Sequence, residues 1–177
     1  MEKPHLSTEF LLSGLGNSIV FRHLDERARR YLLEISERVA YSAGERIIKE
    51  GEISPYLYVV IQGTVNVIVK EKEEKEVFIC TIGEGDAFGE AALFLNMKRT
   101  ADVVSADNSI LLQFHRKDLL KFFKREPSTG IKILMLMVYT LLKKLRSANR
   151  ELAFERRSDY NQEEVDDFIS DFLNEKL

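Results

Sequence analysis

The sequence predicts a mainly β fold of the α+β class, in which helices flank a central segment of short strands. Apolar residues recur at helical spacing from about Phe10 to Val39, alternate in short stretches from Tyr41 to about Phe114, and return to helical spacing after Pro127. Recurrence every three or four residues is typical of an amphipathic helix, and alternation is typical of a strand. The expected segments are a helical lead-in at 1–40, a β segment at 41–126, a long helix at 127–157 and an acidic amphipathic tail at 158–177.

The helical lead-in is predicted from one apolar face and one capping residue. The positions that share the face are Tyr31, Leu32, Ile35 and Val39. Asp25 precedes them and is expected to be an N-cap, because its carboxylate can accept a backbone N–H of the first helical turn. The spacing predicts helix as far as Val39.

The central segment combines alternating stretches with glycine turns. Val65, Val67 and Val69 occupy every second position, which fits a strand with one inward face. Positive backbone φ angles, which tight turns need and glycine tolerates, are expected at Gly44, Gly51, Gly63, Gly83 and Gly85. The charged run from Lys70 to Glu76 is interpreted as a solvated hairpin tip. Many short strands separated by such turns predict a closed or double-sheeted β architecture.

The segment after Pro127 predicts one long helix with an apolar seam. The seam residues, spaced alternately three and four apart, are Ile131, Leu134, Val138, Leu141, Leu145, Ala148 and Leu152. Such a seam can cover the β segment, and its length of about three heptads also favours pairing with a second copy as a homodimer. Asn161 and Glu164 resemble a capping box at the start of the tail. The tail either binds a protein effector or docks on its own chain.

Composition limits the partners and the compartment. The formal net charge of -3 gives no electrostatic reason to expect a nucleic-acid partner. A single cysteine, Cys80, excludes an internal disulfide framework and fits a reducing compartment. The N-terminus lacks a signal-peptide pattern, and the longest apolar stretch, around Ile133 to Leu142, is too short to cross a bilayer. We therefore expect a cytoplasmic protein with neither DNA nor a membrane as a partner.

The stretch from Phe88 to Leu93, which reads Phe-Gly-Glu-Ala-Ala-Leu, carries the residues best suited to a ligand. Gly89 and Ala92 keep side chains short where a ligand must approach backbone N–H groups, and a helix start presents such groups to an anion. Arg99 offers a planar fork that suits phosphate oxygens. Glu90 offers acceptors for sugar hydroxyls. Together these residues favour an anionic sugar as the ligand.

This stretch, with Arg99-Thr100-Ala101 after it, resembles the phosphate-binding cassette of the cyclic nucleotide-binding domain family. The resemblance extends from roughly Phe21 to Leu152. Further matching positions are Gly44, Glu45, Ile47, Ile48, Glu50, Gly51, Leu57, Tyr58, Val60, Gly63, Gly85 and Asp86. It implies a double-stranded β-helix, a jelly-roll-like β-roll, flanked by N-terminal helices and a long C-terminal helix. It also implies that cAMP or cGMP is bound without chemical change, so we expect no enzymatic activity and no cofactor.

The resemblance also assigns roles to single residues. Arg99 would neutralise the cyclic phosphate, Glu90 would accept the ribose 2′-hydroxyl, and Gly89 would allow the tight turn between them. Backbone N–H groups near Ala92 and Thr100 would complete the phosphate cradle. The residues expected beside the base are Val67, Ile79 and Cys80. In the transcription-activator branch of the family the long helix reaches the purine, and by that analogy Asn149 would touch it.

Some features leave alternatives open. Ala91 stands where the family often has a larger aliphatic residue, and Thr100 does not decide between cAMP and cGMP. A dimerising scaffold whose β-roll has lost nucleotide binding is the alternative function. A metalloenzyme on a similar roll is disfavoured, because His5, His23 and His115 have no ligand spacing. Only about two dozen residues follow the long helix, and that segment is acidic, so a DNA-reading domain is not expected.

Overall fold

The computed structural model describes residues 7–70, 76–94 and 97–156. Its helices are α1 (Thr8–Asn17), α2 (Glu26–Glu34), α3 (Ala91–Phe94), α4 (Arg116–Arg125) and α5 (Pro127–Arg156). Its strands are β1 (Ser36–Tyr41), β2 (Arg46–Ile48), β3 (Tyr56–Gln62), β4 (Val65–Lys70), β5 (Glu76–Ile82), β6 (Ala87–Phe88), β7 (Asp102–Ser105) and β8 (Ser109–His115). The chain divides into two compact units, Met1–Ile133 and Leu134–Leu177.

The strands form two four-stranded antiparallel sheets, in the orders β1-β8-β3-β6 and β2-β7-β4-β5. Both sheets contribute inward-facing side chains to one buried apolar cluster. Its members are Ile47, Ile48, Tyr58, Val60, Val65, Ile82, Phe88, Val103 and Leu111. Along β3 the members Tyr58 and Val60 are two positions apart, as expected where alternate residues of a strand face opposite sides. The predicted mainly β, double-sheeted fold of the α+β class is confirmed.

Strand β3 is buried on both faces and connects the roll to the N-terminal helices. Its Tyr58 and Val60 belong to the cluster between the sheets, whereas Leu57 and Val59 point the other way and are also fully buried. Helix α1 packs on β3. The ring centroids of Phe21 and Phe114 lie 5.5 Å apart. The β segment therefore shares a core with the helical lead-in.

The N-terminal boundary between helix and strand differs from the sequence prediction. The expected N-cap is confirmed, since Asp25 Oδ1 accepts the Ala28 N–H at 2.7 Å. The prediction that helix continues to Val39 is wrong, because α2 ends at Glu34 and strand β1 begins at Ser36. β1 pairs with β8 over its whole length. Pairing with a distant strand outweighs a local apolar spacing that fits both structures equally well.

One helix and one glycine turn in the central segment also differ from the sequence prediction. Helix α4 was not predicted as a separate element; its N-cap is His115, whose Nδ1 accepts the Lys117 N–H at 3.1 Å. The expected positive φ angles are confirmed at Gly44, Gly51, Gly63 and Gly85. Gly83 is the exception, because it opens a turn in which its carbonyl accepts the Asp86 N–H at 3.2 Å while Gly85 takes the positive angle.

The long helix forms as expected and begins at Pro127, with Ser128 in its first turn. The expected charged hairpin tip falls mostly at 71–75, outside the described residues, although Lys70 and Glu76 on either side are paired in register. The predicted tail, with Asn161 and Glu164, also lies outside them. None of the described helices is long and apolar enough to cross a membrane.

Candidate functional site

The turn between β6 and α3 contains a glycine that no other residue could replace without strain. Gly89 has a φ of 82°, in the left-handed region that side chains disfavour. A Cβ atom there would lie 2.7 Å from Nη1 of Arg99 and 3.0 Å from the carbonyl oxygen of Tyr56. On its N-terminal side, Phe88 stacks on Tyr58 with ring centroids 5.1 Å apart. The turn is thus anchored in the roll and brings the backbone against Arg99.

The guanidinium of Arg99 is held by three neutral acceptors. Its Nη2 donates to the carbonyl oxygen of Tyr56 at 2.6 Å and to Oγ of Ser54 at 3.2 Å. Its Nη1 donates to the carbonyl oxygen of Gly89 at 3.2 Å. A guanidinium has five N–H donors. The described residues therefore use three of them and leave Nε–H and one hydrogen on Nη1 for another partner.

The Arg99 guanidinium has acidic neighbours, Glu52 and Glu90, but no direct ion pair among the residues that the structure describes. Its buried Nε has no hydrogen-bond partner among them. Burial lowers the pKa of Arg99, an effect opposed by the neighbouring Tyr58, Glu52 and Glu90. A sheltered charge with an unused buried donor is costly unless it is paired. The geometry therefore suits an anion at this point.

Two tyrosine side chains extend this environment into the roll. Burial raises the pKa of Tyr58, and this shift is opposed by Arg99 and by a hydrogen bond with Ser54. The pKa of Tyr41 is raised to about 12 by burial, by Tyr58 and by Glu45. Both hydroxyls therefore stay protonated at neutral pH. Tyr58 is therefore an uncharged polar neighbour of the guanidinium, and Tyr41 is in turn a neighbour of Tyr58.

Glu90 lies between the Gly89 turn and α3. The residue is 8% exposed, and its carbonyl oxygen accepts the Leu93 N–H at 3.0 Å. Its carboxylate is close enough to Arg99 to raise the pKa of that guanidinium. The structure thus brings Gly89, Glu90 and Arg99 together, as the sequence predicts. A buried acid close to a guanidinium can hold the two ends of one polar ligand.

The three residues expected beside the base are neighbours on β4 and β5. Val67 pairs with Cys80, and the register shifts at the next position, where Ile68 pairs with Phe78. Ile79 is therefore the extra residue of a bulge. Ile79 is 51% exposed, and Cys80 is also exposed. Val67 in turn pairs with Val103, so β4 lies beside β7, the strand that begins directly after Arg99-Thr100-Ala101.

The remaining predicted site residues are less closely associated. Ala91 and Thr100 are exposed, and Ala92 lies in α3. Asn149 is exposed on α5 within the second compact unit, so its expected contact with a base stays a prediction. Across residues 7–70, 76–94 and 97–156, no group of three histidine, cysteine or acidic side chains is placed to hold a metal ion.

Sequence reasoning missed the residues that hold Arg99. The acceptors at Ser54 and Tyr56 lie more than forty positions before it, and one of them is a backbone carbonyl that no side-chain pattern reveals. Asp102 is a further residue that was not singled out. It could have been noticed in the sequence as a carboxylate at the start of the apolar stretch Val103-Val104. In the structure Asp102 is only 2% exposed.

Comparison with known proteins identifies the fold and the cassette together. A sequence model described as "Cyclic nucleotide-binding domain" matches residues 38–126, which is half of the chain and includes every strand from β2 to β8. The chain belongs to the cyclic nucleotide-binding domain family. The family match covers the Gly89 turn, Glu90 and Arg99, so the resemblance seen in the sequence is confirmed. Members of this family are regulatory modules.

The curated relatives include kinases and their regulators. The cAMP-dependent protein kinase regulatory subunit of Blastocladiella emersonii is 33% identical over 104 residues, 59% of this chain and 26% of that protein. The cGMP-dependent protein kinase of Plasmodium berghei is 33% identical over 91 residues, 51% of this chain and 10% of that protein. The chain thus spans about a quarter or less of the length of these relatives.

Solved structures with a similar fold include a Catabolite Activator Protein and a regulatory domain of PKA. The Catabolite Activator Protein of Thermus thermophilus has a TM-score of 0.69 and 27% identity, covering 78% of this chain and 63% of that one. The regulatory domain of Toxoplasma gondii PKA, crystallised with cAMP, has a TM-score of 0.59 and 30% identity, covering 68% of this chain and 46% of that one. Both share the fold of this cyclic nucleotide-binding domain.

Proposed function

We propose that this chain binds a cyclic nucleotide monophosphate, cAMP or cGMP, and acts as a regulatory sensor without chemically changing the nucleotide. The observation that carries the proposal is the environment of Arg99, a sheltered guanidinium that neutral acceptors hold and whose Nε–H no described residue accepts. A cyclic phosphodiester carries one negative charge and presents two oxygens that a guanidinium fork can meet. Such a ligand would place an anion in direct contact with the guanidinium.

The other site residues have complementary roles in this proposal. Glu90 accepts a hydrogen bond from the ribose 2′-hydroxyl, and its burial makes that bond stronger than it would be in water. Gly89 lets the backbone pass close to the guanidinium, and N–H groups near Ala92 and Thr100 donate to the phosphate. The base lies against the apolar residues Val67 and Ile79, beside Cys80. Each charge-assisted hydrogen bond contributes about 1.5–3 kcal/mol.

The choice between the two nucleotides is left to measurement. The curated relatives include proteins named for each of them, and Thr100 is compatible with either. Calorimetric titration of the protein with cAMP and with cGMP separates the two, with Glu90→Gln as the matched variant that keeps shape and removes the charge. We expect binding of at least one nucleotide and weaker binding by the variant. No heat and no shift in melting temperature at millimolar ligand would instead favour a dimerising scaffold.

Output is proposed to pass through helix α5 and a homodimer. Seam residues of α5 are well exposed in the single chain, with Val138, Leu141 and Leu145 at 45%, 40% and 55%. A second copy can cover such a seam by coiled-coil packing. Bound nucleotide shifts the position of α5 only if the nucleotide binds one arrangement of the helix more tightly than another. Sedimentation of the protein and of Leu145→Asp, with and without nucleotide, tests this. A monomeric parent protein would contradict the dimer.

The receiver of the signal is proposed to be a protein effector. Kinase regulation is the context of several relatives, which are named as regulatory subunits of cAMP-dependent protein kinase. The proposed module itself is not an enzyme, requires no cofactor and acts in the cytoplasm without DNA or membrane. Affinity capture of partners with and without saturating nucleotide tests the effector, and the expected result is a partner whose recovery depends on the nucleotide.

A further inference from the structure

Asp102 is a buried carboxylate whose role the cyclic nucleotide site alone does not explain. It opens β7, three residues after Arg99, and is 2% exposed. A buried charge is costly unless it is paired and hydrogen-bonded. Its Oδ1 accepts the Glu50 N–H at 2.6 Å, and its Oδ2 lies 3.5 Å from Nη2 of Arg46. Its closest contact is therefore with the segment that leads from β2 to β3.

That segment, Glu50–Tyr56, grips Arg99 at two levels and is called the Arg99 clamp below. At the main chain, Gly51 N–H donates to the carbonyl oxygen of Arg99 at 2.9 Å, and Arg99 N–H donates to that of Glu52 at 2.8 Å. At the side chain, Ser54 Oγ and the Tyr56 carbonyl oxygen accept from the guanidinium. The clamp therefore holds the guanidinium together with the Gly89 carbonyl oxygen, which accepts from its Nη1.

The two ends of the Arg99 clamp are fixed in different ways. Its last residue, Tyr56, belongs to β3 and is held in the sheet opposite His115. Its first residue, Glu50, lies after the end of β2 and depends on two contacts. One is the Asp102 carboxylate, and the other is the Lys70 N–H, which donates to Glu50 Oε2 at 3.1 Å. Asp102 thus ties the start of the clamp to the strand that follows Arg99.

We propose that Asp102 is a positioning residue for Arg99, which it acts on by fixing Glu50 and so the whole clamp. Without this tie the clamp loosens, and the guanidinium loses the orientation in which its unused donors can meet a phosphate. The ligand side of this inference rests on the proposed function, whereas the holding of the clamp does not. Loss of the Asp102 acceptor should weaken nucleotide binding about tenfold, the effect of one lost hydrogen bond of ordinary strength.

Three variants of Asp102 separate its hydrogen bond from its bulk. Asp102→Ala removes the acceptor, Asp102→Leu removes it while filling the space, and Asp102→Asn keeps an acceptor oxygen for the Glu50 N–H. The matched control is Asp107→Ala in the turn between β7 and β8. Its carboxylate also accepts a backbone N–H, that of Thr64 at 3.0 Å, but it does not touch the clamp.

The first measurement is backbone hydrogen exchange without nucleotide, which reports on the clamp itself. In Asp102→Ala or Asp102→Leu, the amides of Gly51 and Arg99 should exchange about tenfold faster, and that of Ala106 should be unchanged. In Asp107→Ala, the Ala106 amide should exchange faster and those of Gly51 and Arg99 should be unchanged. The reason is that Asp107 accepts the Thr64 N–H, and Ala106 N–H donates to the carbonyl oxygen of Thr64. Unchanged exchange at Gly51 and Arg99, or equal acceleration at all three amides, would overturn the proposal.

The second measurement is the affinity for cAMP and cGMP. Asp102→Ala should bind about tenfold more weakly, Asp102→Asn should stay close to the parent, and Asp107→Ala should match the parent. In an Arg99→Lys background, Asp102→Ala should cost little further affinity, because the fork it positions is gone. The positioning role would be contradicted if the affinity losses of Asp102→Ala and Arg99→Lys were fully additive. It would also be contradicted if Asp102→Asn bound nucleotide as weakly as Asp102→Ala. If the parent protein binds neither nucleotide, the proposed function fails, and the exchange measurement still decides the role of Asp102.

Discussion

Replacing Gly89 with alanine tests whether the backbone turn really controls Arg99. Two costs are expected. The first is the left-handed φ of 82°, which costs about 1–2 kcal/mol for a residue with a Cβ. The second is steric, because the new Cβ would lie 2.7 Å from Nη1 of Arg99 and 3.0 Å from the Tyr56 carbonyl oxygen. Pushing these groups apart costs about another 1–3 kcal/mol and moves the guanidinium away from its ligand position.

Gly44→Ala is the matched control for this variant. Gly44 has nearly the same φ, 81°, but a Cβ there would have no atom within 4 Å. Urea unfolding should therefore show a loss of about 1–2 kcal/mol for Gly44→Ala and a larger loss for Gly89→Ala. Nucleotide affinity should fall by about tenfold or more in Gly89→Ala alone. Equal stability losses and equal affinities in the two variants would refute the reasoning.

Three further predictions concern single contacts. Ser54→Ala removes one acceptor of the Arg99 guanidinium, and titration calorimetry should show roughly two- to tenfold weaker nucleotide binding, as expected for one hydrogen bond; parent-like affinity would contradict a role in holding Arg99. Tyr41 has a pKa of about 12 against an ordinary 10.0, so the unfolded chain loses this proton first and the free energy of unfolding should fall as pH rises from 10 to 12. Tyr41→Phe should flatten that fall in alkaline urea titrations, and an unchanged slope would rule out the assignment. Asp25→Ala should cost about 1 kcal/mol of stability through the lost N-cap, with affinity unchanged; a weaker nucleotide complex would contradict this separation.

Local patterns predicted those parts of the fold in which short-range and long-range preferences agree. The alternation around Val67, the Asp25 N-cap and the long helix after Pro127 all formed as expected. The stretch around Val39 did not, because its apolar spacing fits a helix face as well as one side of a strand. The partner strand β8, more than seventy residues later, decided the outcome. No window of sequence contains that information.

In the candidate site, too, some residues could be predicted from the sequence and others are fixed only by tertiary structure. Gly89, Glu90 and Arg99 were recognised from their side chains and their order, and the structure brings them together. The groups that hold Arg99 could not be predicted in this way. Tyr56 contributes only its carbonyl oxygen, which every residue has, and Ser54 acts because a loop returns to the cassette. Asp102 could have been noticed as an acid in an apolar strand, but its partner Glu50 is fixed by tertiary structure alone.

The most direct test of nucleotide binding at Arg99 is a calorimetric titration of the parent, Arg99→Ala and Arg99→Lys with both cyclic nucleotides. Arg99→Ala should bind at least tenfold to a hundredfold more weakly, since about 1.5–3 kcal/mol of charge-assisted hydrogen bonding is lost. Arg99→Lys should lie between it and the parent, because it keeps the charge without the fork. An Arg99→Ala variant that binds either nucleotide as tightly as the parent would contradict the assignment.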